Sequence, residues 1–394
     1  MAGSFLTFKP VNMAVIGLGR GFALSARGLQ AHSGIRLIAG ANPSEAPRGA
    51  FEAAFGGETF SDYKDMLRDP SIEIVYVATP HQMHSQHVTD CLNAGKHVVV
   101  EKPISIDLED ARAMTRLAAD KGLHLLVGPS HSYDAPIACA AAQINNGAIG
   151  RPKMLHILTA TDFLYRPRRP EELRTSEGGG VIFSQAVHQV DVAMRLLGSA
   201  PISVFAKTGN WDPDRPSEGA FTALLSFESG AVANLTYSGY GFYDSDIQMG
   251  NISELGVEKT PADYGKARRA LKDVQDETSH KRTRAFTGID GLPDPTHHEH
   301  FGPATVFCER GDIHISTDRI LIYRAHAVET IDCPFDYSRK DFAQAIVDLL
   351  RNGSKPVQTG DWGYAALATS HAILESAKTG LPITINPQTL VNHD

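Results

Sequence analysis

"MAVIGLGRGF", Met13 to Phe22, decides the architecture. A short apolar run leads straight into Gly17, Gly19 and Gly21, with Arg20 between the last two. A buried strand that turns on glycine and continues as a helix brings backbone N–H groups and the positive end of a helix dipole to one point, which suits a pyrophosphate. The usual spacing is GxGxxG; here Phe22 takes the third glycine position and Gly21 is the extra glycine. Taken alone, the cluster reads equally well as a plain strand–turn–helix joint.

Its neighbours favour the first reading. Apolar runs recur at Ile35–Asn42, Ile72–Pro80, His97–Pro103 and Leu123–Ser130, separated by helix-like stretches such as "SQHVTDCLNAGK" and "DLEDARAMTRLAADKG". Continuous apolar strands joined by helices predict a parallel sheet covered on both faces, a Rossmann-like doubly wound α/β domain that binds its ligand at the carboxyl ends of the strands. After Ser130 the pattern changes. "MLHILTATDF", "ISVFAKTGNW", "GAFTALLSFES" and "GAVANLTYSGY" are longer and richer in β-branched and aromatic residues, and Ser229-Gly230 marks a hairpin. This half predicts an α+β domain with a large open, mainly antiparallel sheet. The expected division is 1–130 for dinucleotide binding and 131–394 for substrate binding and oligomerisation. Tyr264–Arg284, polar and charge-rich, reads as a surface insertion, followed by the loop "GIDGLPDPTHHEHFGP".

The chain's 394 residues suit two domains. Its composition, 42% hydrophobic and 21% charged, is that of an ordinary globular protein. A net charge of −8 disfavours nucleic acid as a partner. There is no apolar run of the roughly 20 residues that a membrane span needs, and the N-terminal residues lack a signal-peptide pattern. Cys91, Cys139, Cys308 and Cys333 form no CxxC pair and read as reduced thiols, so the expected location is the cytoplasm.

Three groups of residues carry chemistry. Asn42, with Ser44 and Arg48 after it, stands where an acidic residue would accept from a ribose hydroxyl; an amide there suits NAD, and an arginine nearby leaves NADP open. "VVVEKP" puts Glu101 and Lys102 at the end of a strand, with Pro103 restricting the backbone beside them. "GGGVIFSQAVHQVD", Gly178 to Asp191, spaces Ser184, His188 and Asp191 at i, i+4 and i+7, while Val187, Val190, Met194 and Leu197 form a core face. Its polar face is either a solvated surface or a proton-handling wall. His81, His84 and His87 fall three apart, and "THHEH" (Thr296–His300) is denser, but neither brings a strong ligand set, and no metal is expected. Tyr237, Tyr240 and Tyr243 read as core or pocket walls.

G-x-G after the first strand, "ATP" followed by His84, "EKP" and "GGG…H…D" together resemble the Gfo/Idh/MocA oxidoreductases over essentially the whole chain. Within that family, "GLGRGF", "ATPHQMH", "GPSHSYDAPI", "YRPRRPEEL", "FSQAVHQVD" and "YSGYGFYDSD" resemble the phthalate cis-dihydrodiol dehydrogenases. The resemblance implies that Thr79, Pro80 and His84 lie at the cofactor, that Lys102 sits by the nicotinamide with His188 opposite, and that copies pair through the C-terminal sheet as a homodimer or homotetramer. Many members carry Asp where Ser184 stands, so Ser184 is left to orient or relay.

Oxidising a carbinol requires a base at the hydroxyl. Histidine suits that role, and so does a lysine whose ammonium is disfavoured by a neighbouring positive charge. Lys102 and His188 are therefore the expected catalytic pair, with Asp191 placed to orient the imidazole. Arg166, Arg168, Arg169 and Arg174, with Tyr165 as a wall, predict a carboxylate clamp. The expected substrate is an aromatic-acid cis-dihydrodiol, phthalate 4,5-cis-dihydrodiol going to 4,5-dihydroxyphthalate. The alternatives are a sugar or inositol dehydrogenase on the same fold, and a non-catalytic nucleotide-sensing protein.

Overall fold

The computed structural model describes residues 9–386. Six parallel strands form the first sheet: β1 (Val11–Ile16), β2 (Ile35–Ala41), β3 (Glu58–Phe60), β4 (Ile74–Val77), β5 (His97–Val100) and β6 (Leu125–Val127). Their order is β3-β2-β1-β4-β5-β6. The order reverses between β1 and β4, and a crevice opens at such a switch point. Every residue of β4 and β6 is buried, as expected of strands covered on both faces. β3 was not foreseen, because "ETF" is short and carries no apolar run.

Nine strands form the second sheet, in the order β14-β13-β12-β11-β7-β10-β9-β8-β15. They are β7 (Pro152–Ala160), β8 (Pro201–Gly209), β9 (Ala220–Phe227), β10 (Val232–Ser238), β11 (Ala304–Cys308), β12 (Gly311–Ile315), β13 (Arg319–Tyr323), β14 (Val328–Asp332) and β15 (Ile383–Thr384). Only β7 and β10 pair in parallel. The strands alternate as one-sided sheets do: Phe221, Ala223 and Leu225 point into the core, Thr222 and Leu224 outward. The inner face packs against the Ala135–Asn145 and Val187–Leu197 helices, and Val190, Met194 and Leu197 are buried there as the periodicity predicts.

The chain after residue 130 packs on both cores. The Lys340–Val347 helix sends Phe342, Ala343 and Ile346 into the cluster formed by Val11, Met13 and Phe22. The long Gly360–Thr379 helix serves both cores, with Tyr364 and Leu367 on the first and Ala365 and Ile373 on the second. Its approach lies along β6, where Val127 N donates to the Gln358 carbonyl at 2.9 Å. The Lys340–Val347 helix thus helps cover the face of the first sheet that carries Val11, Met13 and Val15.

The expected surface insertion is likewise a structural part. It forms two short helices, Lys266–Leu271 and Glu277–Arg282, and ends on Phe286, which is fully buried among Phe22 and Phe55 of the first domain, with ring centroids at 5.1 and 5.6 Å. Among the described residues no helix is long and apolar enough to cross a membrane.

Phe286 is therefore expected to act as the insertion's anchor. Phe286→Ala should lower unfolding stability by roughly 3–5 kcal/mol, the usual cost of emptying a buried aromatic site, read as a shift of the urea midpoint. A shift below about 1 kcal/mol would mean the insertion holds without it.

Candidate active site

A cavity of about 780 Å³ opens at the carboxyl ends of the parallel strands and runs under the helix that follows the triple glycine. Gly17 makes the turn below it with φ +92°; a Cβ there would sit 2.7 Å from Thr79 Cγ2 and 2.8 Å from the Ala78 carbonyl. Gly19 caps the Arg20–Ala31 helix, which has no acidic residue in its first turn and no side-chain cap, and a Cβ on it would meet only open space. Backbone N–H groups at that end therefore remain for an anion. Asn42 Oδ1 accepts from Ser44 N at 2.9 Å, which leaves the amide N–H groups as donors. This cradle fits a dinucleotide.

Of the residues expected at the cofactor, Gly19, Arg20, Gly21, Asn42, Thr79, Pro80, Glu101 and Lys102 line the cavity. Four others sit behind it. Gly17 shapes the turn. Phe22 is a core residue, packed on Phe51 and Phe286. Arg48 donates to the carbonyls of Asn42 and Pro43 at 2.6 and 2.9 Å and so ties the end of β2. His84 lies with its ring nitrogens 2.8 and 3.0 Å from the carbonyls of Pro103 and Thr79. Burial pushes His84 down to about 4 against the pull of those two carbonyls, and the ring bridges two loops. His87 packs on Thr79 Oγ1, and among the described residues no His/Cys/Asp/Glu group is arranged to hold a metal.

Lys102 and His188 meet on the cavity wall. Each glycine of the triple is required there. A Cβ would lie 2.4 Å from Ile106 at Gly178, 2.5 Å from the Glu172 carbonyl at Gly179 and 2.1 Å from Glu218 Oε1 at Gly180. The helix then opens into a wide i→i+5 turn over Ile182–Ala186 before Val187–Leu197 resumes the α form; such turns gather at functional sites. Within it the Ser184 carbonyl accepts from Lys102 Nζ at 3.1 Å. The Ser184 hydroxyl is turned back onto the Gly180 carbonyl, so the serine meets the lysine through its backbone. Burial lowers the Lys102 pKa against the pull of Glu101. Burial, then the nearby Lys102 and His131, hold His188 well below its ordinary value, and its Nδ1 has no hydrogen-bond partner among the described residues.

Asp191 does not orient that nitrogen, contrary to expectation. It lies on the neighbouring part of the same helix face, but its carboxylate is taken by other donors. It accepts from Ser132 N (2.9 Å), Ser132 Oγ (2.8 Å) and Trp362 Nε1 (2.7 Å). Asp191 thus fixes the loop after β6, and that loop carries a residue the sequence reading passed over. His131 faces the cavity with its ring centroid 4.7 Å from that of His188, and its Nδ1 is 2.7 Å from Asp134 Oδ2. The available signal was a histidine at the carboxyl end of a parallel strand, the position Lys102 holds one strand earlier.

The arginine cluster separates into paired and unpaired groups. Arg166 is clamped to Glu254, Arg169 lies 3.2 Å from Glu171 and 3.4 Å from Glu172, and Arg174 pairs with Glu177. Tyr165 is behind the wall, its hydroxyl donating to Asp212 at 2.9 Å. Lys281 of the insertion pairs with Glu172, and Arg339 reaches Glu299 at 3.2 Å. Arg168 differs: it lies 3.8 Å over the Phe163 ring and donates to that residue's carbonyl, with no carboxylate in ion-pair range among the described residues. Arg20 and nearby Arg284 are also without one. Burial and mutual repulsion push Arg20 down to about 9, and burial takes Arg168 to about 10.

A dinucleotide cradle beside buried proton-handling groups defines an NAD-binding Rossmann oxidoreductase. The comparisons agree. An oxidoreductase family model with an NAD-binding Rossmann fold matches residues 11–129, and the GFO/IDH/MocA C-terminal domain matches 137–249. The chain belongs to the Gfo/Idh/MocA oxidoreductase family. It is 36% identical over 381 residues to a 1-carboxy-3-chloro-3,4-dihydroxycyclohexa-1,5-diene dehydrogenase of Comamonas testosteroni, covering 94% of this chain and 96% of that one. It is 30% identical to an inositol 2-dehydrogenase of Rhizobium meliloti over 61% of this chain and 72% of the relative. A solved Bordetella bronchiseptica RB50 structure described as a dehydrogenase superposes with TM-score 0.91 at 34% identity, covering 95% of this chain and all of that one.

The carboxylates that balance the cleft set its acid stability. Burial would raise Glu254, but Arg166 outweighs it and holds the group at about 2; Lys281 and Arg168 do the same for Glu172. The unfolded value is about 4.3, so their stabilisation is complete above that pH and drains away as pH falls toward about 2. Glu254→Gln should lower stability at neutral pH and flatten the acid limb of urea midpoint against pH. An unchanged acid limb would remove Glu254 from this role.

Proposed function

We propose that the protein oxidises an aromatic-acid cis-dihydrodiol to the catechol, with phthalate 4,5-cis-dihydrodiol as substrate and NAD as the preferred cofactor. The observation that carries this reading is the pair of cavity-lining arginines, Arg20 and Arg168, half-buried and, among the described residues, without a carboxylate in ion-pair range. A buried unpaired cation is costly, and a substrate carboxylate relieves that cost where a neutral polyol does not. The Comamonas relative, whose name describes a carboxylated ring diol, supports the same class. The preference for NAD over NADP rests on Asn42 lining the cavity while Arg48 is spent on backbone carbonyls.

When bound, the nicotinamide takes the hydride from the carbinol carbon. Lys102, which burial shifts toward its neutral amine, receives the hydroxyl proton at Nζ, with neutral His188 beside it to accept or pass that proton. The Ser184 carbonyl holds the Lys102 nitrogen in place. Arg168 and Arg20 orient the ring through its carboxylates, and the insertion roofs the cavity with Thr278, Lys281 and Ala285 and so excludes water.

The test is nicotinamide reduction by the purified protein. NAD⁺ and NADP⁺ are each offered with phthalate 4,5-cis-dihydrodiol, with the chlorinated monocarboxylate diol and with inositol. Turnover of the phthalate diol with NAD⁺ is expected. Arg168→Met should raise its KM about 10- to 100-fold, the range of one lost charge-assisted contact. Activity on inositol with none on either diol would overturn the reading.

The outer face of the second sheet supports a homodimer or homotetramer. Phe205 and Leu224 pair across β8 and β9, and Leu158 lies on the same face; all three are exposed. Leu224→Glu should convert the wild-type oligomer to monomer in light scattering. A wild-type monomer, or an oligomer indifferent to the change, would dismiss that face.

A further inference from the structure

Oxidation of one carbinol in a vicinal cis-diol leaves a hydroxy-ketone, not yet a catechol. Aromatisation is then an isomerisation. The adjacent ring carbon loses its C–H proton, the electron pair moves into the ring, and the ketone oxygen gains a proton, with no net change in atoms or oxidation state. The first step asks for one base; the second asks for a base and an acid together. We propose that His131, held by Asp134, is a second acid–base group of this site and serves the aromatising step, giving its proton to the ketone oxygen while the ring carbon's proton passes to His188. The proposal rests on the dihydrodiol reading above.

The geometry supports it. His131 and His188 stand edge to face on one cavity wall, at 4.7 Å between ring centroids, and Phe301 packs against both, at 5.1 and 4.9 Å. Asp134 takes one ring nitrogen of His131 at 2.7 Å, and Asp191 fixes the loop through Ser132. The charges facing His131 come from every side: Asp134 on its own loop, Glu299 with its partner Arg339, Glu254, and the histidines His188, His298 and His300. Burial opposes a charge on His131, but Asp134 and then Glu299 and Glu254 outweigh it and raise the imidazole's pKa. His188 is shifted the opposite way. The two imidazoles are therefore biased in opposite senses, His131 toward its charged form and His188 toward its neutral one, which is the pairing an enolisation needs and a simple carbinol oxidation does not.

The experiment is rapid mixing of the holoenzyme with phthalate 4,5-cis-dihydrodiol, following nicotinamide reduction and catechol absorbance separately. In the wild type, catechol is expected to keep pace with reduced nicotinamide. In His131→Asn, catechol should trail reduced nicotinamide by about 100-fold, the usual contribution of a positioned acid. Asp134→Asn should move the alkaline limb of catechol formation to lower pH, because the imidazole loses the carboxylate that favours its charge. Catechol trailing reduction in the wild type at the rate of free solution would overturn the proposal, and so would equal slowing of both signals in His131→Asn. If His131→Asn does not fold, the wild-type comparison and the Asp134→Asn profile decide. Failure of the wild type to reduce the nicotinamide with any dihydrodiol would remove the reading beneath the proposal, and the proposal with it.

Discussion

Arg166, Arg339 and Lys281 are carried below the surface of one cleft, and each is met by a carboxylate: Glu254, Glu299 and Glu172. An ammonium or guanidinium taken out of water without such a partner loses several kcal/mol of solvation. The carboxylates come from three separate stretches of the second domain, so the cleft forms only when those stretches converge. The insertion is held over it in the same way, by Lys281 on Glu172 and Glu277 on Arg215 at 2.9 Å. Arg20 and Arg168 are the exceptions. Both line the cavity with no carboxylate in ion-pair range among the described residues, Glu172 and Glu254 acting on them only from further off, and a substrate can supply one.

Rigidity in the reacting part of the cleft has another source. The EKP loop, the loop after β6 and the wide turn below the triple glycine are braced through backbone groups. His84 spans the first to the "ATP" turn, Asp191 grips the second, and Lys102 reaches the third. Asp191 also holds Trp362 of the long C-terminal helix, so one buried carboxylate joins both domains to the wall that carries His131 and His188.

Much of this was legible in the chain. Five of the six parallel strands, the glycine turn, the lysine after β5 and the core face of the His188 helix all follow from apolar runs and spacing. What was not legible depended on partners distant in sequence. Nothing local distinguishes Arg168 from Arg166, since Glu254 lies far along the chain. Helical spacing put Asp191 beside His188, but the arrival of Ser132 and Trp362 gave its carboxylate other partners. Phe22 stood at a glycine position and was read as a cofactor contact; its ring instead serves the core, because Phe51, Phe55 and Phe286 surround it.

The return of the chain end onto the first sheet has a consequence for synthesis. Phe342 packs on Tyr76 and Tyr133, and Gly28 lies so close to the Ser338 carbonyl that a Cβ would sit 2.1 Å from it. Residues 11–127 leave the ribosome before Phe342, yet the face of their sheet that Phe342 covers stays open until that helix has been made. A nascent chain that has not reached Phe342 displays the apolar sides of Tyr76 and Tyr133, the kind of surface that chaperones hold. The parallel sheet is translated well before the segment that seals it.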